Sequence, residues 1–120
     1  MTTQPKTYTL ADAINRPLQS APVLKPTTLT GQMEQIDVVW ESEDGKFVYG
    51  VWECEAGTFT ANRAGYHETA TIVSGSATIT AEDGTVIEAK PGTMLSTPEG
   101  WKGTWVCHEK IRKVFNLMYI

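Results

Sequence analysis

The chain has 120 residues, enough for one domain that buries about two-thirds of its unfolded surface and folds without disulfides or structural metal. Ten basic against fourteen acidic residues leave a net charge of -4, and the basic residues cluster only at Lys110, Arg112 and Lys113, which argues against nucleic acid as a partner. No apolar run approaches the ~20 residues of a membrane span, residues 1–10 are polar, and Cys54 and Cys107 stand far apart without metal-type spacing, so the expectation is a cytoplasmic protein with two reduced thiols and no membrane partner.

Residues 1–31 read as an arm, punctuated by Pro5, Pro17, Pro22 and Pro26. Only residues 10–15 carry weak helical periodicity, with Leu10, Ala11, Ala13 and Ile14 ahead of the stop at Pro17. Such an arm drapes over its own domain or reaches a neighbouring subunit, and both stay open. Across residues 32–120, short β-rich runs alternate with turn signals: 36–40, 47–52, 69–73, 77–81, 85–89, 94–97, 101–107 and 111–120. Asp44-Gly45 and Asp83-Gly84 sit between runs, where residues tolerant of left-handed backbone permit tight hairpins. In 77–81 the apolar Ala77, Ile79 and Ala81 share one face and Thr78 and Thr80 the other, as a half-buried strand requires. The fold class is all-β.

Two spacings refine this. Gly92 and the Pro98-Glu99-Gly100 segment form a Gly-x5-Pro-x-Gly signature, and upstream, past Gly57, Glu68 and Gly75 form a Glu-x6-Gly signature. The pair resembles the RmlC-like cupin superfamily. The run from Gly50 to Lys113, with Gly-Val-Trp-Glu at 50–53, Ala-Gly-Thr-Phe at 56–59, His67-Glu68-Thr69-Ala70, Trp105 and Arg112-Lys113, is similar to the small single-domain cupins related to ureidoglycine aminohydrolase. The resemblance implies a single conical β-barrel, a double-stranded β-helix or jelly roll of two antiparallel sheets over residues 32–120, with the arm packed outside. It also implies a homodimer, formed through strand pairing and an arm able to cross.

Cupin metal centres draw two histidines and a glutamate from the first motif and a third histidine from the second, because imidazoles plus one carboxylate hold a divalent transition ion with positions left open. Here the positions counted back from Glu68 are Asn62 and Ala64, or Arg63 and Gly65, and the second motif offers Gly103. Only Glu68 matches, so a three-histidine, one-glutamate site is excluded and no metal cofactor is expected. The alternative is a divalent transition metal on a reduced set of Glu68, His67 and a third donor. Strict alternation opposes it: if Glu68 points inward, Tyr66 does too and His67 points out, unless a bulge re-aims it.

An inward Glu68 carries a raised pKa and works as acid or base, or stays charged and grips a cation, or pairs internally with Arg63 or Arg112. Trp105 and Cys107 share the parity of Gly103, and Trp105 is expected to fill the volume that the missing histidine vacates. Trp52, Tyr66 and Arg63 are further pocket candidates. Of Arg112 and Lys113 at most one reaches the cavity, Arg112 to hold a carboxylate or Lys113 to act as a desolvated base. The leading expectation is a small-molecule-binding cupin, a metal-independent enzyme acting on a small polar nitrogen-bearing or carboxylate metabolite. Glu68 transfers the proton, Tyr66, Arg112 and Lys113 assist, and Trp105, Trp52, Cys107 and Arg63 surround the ligand. A metalloenzyme with a nonstandard ligand set and a non-catalytic binding module are the alternatives.

Overall fold

One short helix precedes ten strands in the computed structural model, which describes residues 6–120; Pro5 lies outside them. The elements are α1 (Leu10–Asn15), β1 (Val23–Leu24), β2 (Met33–Glu41), β3 (Phe47–Cys54), β4 (Gly57–Asn62), β5 (Tyr66–Ser74), β6 (Ala77–Ala81), β7 (Val86–Ala89), β8 (Met94–Thr97), β9 (Lys102–Cys107) and β10 (Ile111–Tyr119). A six-stranded sheet runs β1-β2-β3-β10-β5-β8 and a four-stranded sheet runs β4-β9-β6-β7, every pairing antiparallel. This is the expected cupin jelly roll. The sequence reading placed no strand at β1 or β4, started β2 three residues late at Ile36, and started β5 three residues late at Thr69.

Period-two alternation sends one set of side chains from each sheet into the space between them. Trp52, Ile72 and Phe115 come from the larger sheet and Phe59, Ile79 and Trp105 from the smaller, and all join one buried cluster. Trp105 is at its centre, fully buried, stacked on Phe59 at 5.6 Å and edge-on to Trp52 at 5.9 Å. Such aromatic pairs add about 0.5–1.5 kcal/mol each beyond the area they bury. The motif glycine at 75 has its own reason: φ is +80°, and a Cβ there would collide with the Lys110 carbonyl and stand 2.6 Å from Ile111 Cα.

The arm does more than pack outside. α1 is too short to be stable alone. A capping box holds its start, with the Asp12 amide donating to Thr9 Oγ1 at 3.0 Å and the Thr9 amide to Asp12 Oδ2 at 3.2 Å. Its C-terminal carbonyls accept from Arg112 on the outer face of the six-stranded sheet. Asp37, also outward, accepts from the Gln19 and Ser20 amides at 2.7 and 2.9 Å. The chain then turns round the sheet edge through β1 and crosses to the other sheet. There the Leu29 amide donates to the Thr58 carbonyl at 2.8 Å and the Thr60 amide to the Thr27 carbonyl at 3.2 Å. The segment assigned to an external arm thus straps the two sheets together at one corner.

Candidate functional site

A cavity of about 540 Å³ opens between the sheets at the corner that the strap closes. Inner-face parity explains its lining. Tyr66 and Glu68 come from β5, Lys113, Phe115 and Leu117 from β10, Val48 and Trp52 from β3, and Phe59 and Ala61 from β4. Arg63 follows β4 directly, and Lys25, Pro26 and Thr27 of the strap complete the rim.

Three charged side chains form the floor. Arg63, Glu68 and Lys113 are 7%, 5% and 6% exposed. Glu68 Oε1 lies 3.1 Å from an Arg63 terminal nitrogen and Oε2 lies 2.6 Å from Lys113 Nζ. Both contacts are ion pairs, and the shorter one, to Lys113, also helps to hold the carboxylate charged. Arg63 Nε donates to Thr97 Oγ1 at 3.0 Å, and its other terminal nitrogen has only a 3.4 Å contact with the Tyr66 hydroxyl. Lys113 Nζ stands 4.5 Å from the Trp52 ring centroid and 4.8 Å from that of Trp105, so aromatic faces replace part of its lost hydration.

These neighbours set the protonation states. Burial pushes the Glu68 carboxyl up, but Lys113 and Arg63 outweigh it and hold the group below its ordinary value. Burial and the Arg63 charge depress Lys113 against the opposing pull of Glu68. Glu68 is therefore a charged anchor with a lowered pKa, not the acid of raised pKa that the sequence left open, and the polarised amine is Lys113. The internal pairing expected with Arg63 or Arg112 is made with Arg63 and with Lys113.

A second polar group stands at the mouth. Lys25 and Glu34 pair at 3.0 Å, Trp52 Nε1 donates to the same Glu34 oxygen at 2.7 Å, and Lys25 Nζ lies 4.4 Å from the Phe59 centroid. Sequence reasoning missed Lys25, Glu34 and Phe59. The alternation Glu34-x-Ile36-x-Val38 carried the signal for the second of these.

Of the residues expected at the site, Glu68, Tyr66, Lys113, Trp52 and Arg63 line the cavity. Trp105 and Cys107 do not; both are buried in the core below it, Trp105 with its Nε1 unpartnered among the described residues. Cys107 lies against Cys54, both thiols free, and the hydrogen bond between them with burial pushes Cys107 up. Arg112 is turned away by strand parity. Its Nε and a terminal nitrogen hold Glu53 Oε2 at 2.9 and 2.6 Å, and the other terminal nitrogen donates to the Ala13, Ile14 and Arg16 carbonyls. The volume beside Gly103 is filled by Trp101 rather than Trp105: a Cβ at 103 would meet the Trp101 ring at 2.5 Å and the Thr80 carbonyl at 2.6 Å.

The donor set does not fit a metal. His67 stands opposite Glu68 across the strand, where its Nδ1 accepts from the Glu99 amide at 2.9 Å. Among the described residues no three His, Cys, Asp or Glu side chains converge, and the one motif carboxylate is held by two cations.

Residues 41–115 match the family described as the EutQ-like cupin domain. No curated protein matches the chain. Among solved structures, the EutQ protein of Clostridium difficile is 18% identical with a TM-score of 0.63, the match covering 73% of this chain and 69% of that one. A protein of unknown function from Pseudomonas syringae pv. tomato is 16% identical with a TM-score of 0.71, covering 82% and 43%. The ectoine synthase of P. lautus is 18% identical with a TM-score of 0.64, covering 80% and 67%. At these identities the likeness is one of fold.

Proposed function

The chain belongs to the EutQ-like cupin domain family, and on that footing we propose that it binds a small polar metabolite in the inter-sheet cavity and moves a proton there at Lys113. One observation carries the reading: a buried amine faces the cavity at 2.6 Å from a carboxylate, under apolar walls. A cavity of this size with few convergent polar groups is the ordinary form of a small-molecule site. Glu68 fixes the position of Nζ and stabilises its charged form. Desolvation and Arg63 work against that charge, so Lys113, charged at rest, gives its proton to a bound ligand at lower cost than an exposed lysine would. Tyr66, within reach of Arg63, orients the ligand at the rim.

The finer likeness to the relatives of ureidoglycine aminohydrolase supplies the idea of a nitrogen-bearing or carboxylate substrate. Of that enzyme's metal-site residues only Glu68 has a counterpart, so its reaction is not carried over. A homodimer is part of the proposal, supported by the exposed apolar residues Val23 and Leu24 on the edge strand β1. Light scattering at micromolar concentration tests it, and a monomeric mass would remove it.

Ligand-detected NMR with a set of small polar metabolites tests the binding reading. Hits should lose their signal when Val48→Trp fills the cavity. Hits unaffected by Val48→Trp would place binding elsewhere, and a set without hits would refute the reading.

A further inference from the structure

We propose that the ligand is a monocarboxylate with an apolar body, its carboxylate seated between Arg63 and Lys113. The inference rests on the ligand-binding reading above and narrows it to a substrate class.

Charge counting is the first argument. The cavity lining holds Lys25, Arg63 and Lys113 against Glu34, Glu41 and Glu68. Glu41 is exposed at the rim, and Lys25 and Glu34 neutralise each other at the mouth. On the floor two buried cations share one buried carboxylate, so one positive charge is left over. Water screens it poorly there, and an uncompensated buried charge is costly. A bound monoanion cancels it. A dianion such as phosphate would overshoot to a net negative floor, and an ammonium ligand would double the excess.

Donor counting agrees. Arg63 has five N–H donors and Lys113 three. Within the protein, Arg63 spends one donor on Thr97, one on the 3.4 Å contact with the Tyr66 hydroxyl and one against Glu68 Oε1, and Lys113 spends one against Glu68 Oε2, which leaves two on each. The unused donors match the paired acceptors of a carboxylate.

The walls select the rest of the molecule. Above the floor, Trp52, Phe59, Val48, Phe115 and Leu117 line the cavity, joined by Ile36 and Val38, which are 45% and 54% exposed. Carbon, not a second polar group, complements that surface.

Calorimetric titration of the full chain with benzoate, its neutral isostere benzamide and the cation benzylamine tests the assignment. Benzoate should bind, with the other two weaker by on the order of tenfold or more. Lys113→Met and Arg63→Gln each leave a neutral floor pair, and each should weaken benzoate by about the same factor. Benzylamine binding as well as or better than benzoate would overturn the assignment while leaving the cavity a binding site. So would absence of benzoate binding alongside cavity-dependent hits in the metabolite set. Absence of both would sink the binding reading itself.

Discussion

Glu68→Gln and Lys113→Met cut the same 2.6 Å ion pair, yet the charge on the cavity floor makes their consequences unequal. With glutamine at 68, Arg63 and Lys113 remain as two buried cations with no carboxylate between them. Removing one partner of a buried pair costs about 3–5 kcal/mol because the other charge is left uncompensated. Against a domain stability of about 5–15 kcal/mol this is a large loss. With methionine at 113, the Arg63–Glu68 pair at 3.1 Å survives as a neutral unit, and an unbranched chain still lies against Trp52 and Trp105. The loss is then the cation–π contribution, about 0.5–2 kcal/mol, offset by one fewer ion to desolvate, so the net change should stay within about 1 kcal/mol. Urea unfolding at pH 7, followed by tryptophan fluorescence, gives both numbers. Equal losses in the two variants would refute the charge count, and with it the argument for an anionic ligand.

Acid titration offers a second check. Glu68 has a folded pKa below its ordinary 4.5, so its contribution to stability is fully present above that value and is lost as pH falls through the folded one. The wild type should therefore lose stability more steeply below pH 4.5 than Glu68→Gln, and parallel curves would remove Glu68 as the source. Arg112→Met should release the arm, since charge-assisted hydrogen bonds of about 1.5–3 kcal/mol are lost there; amide exchange in residues 10–20 should rise roughly tenfold or more while β5 keeps its protection. Unchanged exchange would mean that α1 is held by other contacts. Gly103→Ala should cost about 1–3 kcal/mol and shift the Trp101 fluorescence, because the new methyl meets that ring and a backbone carbonyl; a neutral substitution would show that Trp101 swings aside freely.

Much of this was legible from alternation alone. Once Glu68 is set inward, period two brings Tyr66 with it and turns His67 out, as found. The choice between Arg112 and Lys113 was legible in the same way and was left open: Ile111, Phe115 and Leu117 share the parity of Lys113, and the irregularity against β5 is an extra residue on β5 that leaves the alternation of β10 intact. Trp105 has the inward parity expected of it, but parity fixes a face and not a depth: it is fully buried in the core cluster, below the cavity rather than in its wall. Trp101 shares the parity of Gly103 within the run 101–107, as Trp105 does, so parity could not say which of the two rings fills the space beside Gly103. Lys25 was beyond reach for another cause. It belongs to the cavity only because the strap turns the corner, a tertiary event that the prolines of 17–26 permit but do not specify.

The clamp on α1 also bears on the order of assembly during synthesis. Arg112 accepts no substitute from nearby sequence: the carbonyls it holds lie 96 to 99 residues upstream. The strand that carries it inserts between β3 and β5, in the middle of the larger sheet. The arm thus leaves the ribosome long before its dock exists, and contacts of such long range form late. Until β10 enters, the carbonyls of Ala13, Ile14 and Arg16 have no Arg112 to hold them. The same arrangement works in reverse in the finished protein. Peeling the strap back would uncover the rim formed by Lys25, Pro26 and Thr27 without breaking a central strand or moving the floor charges.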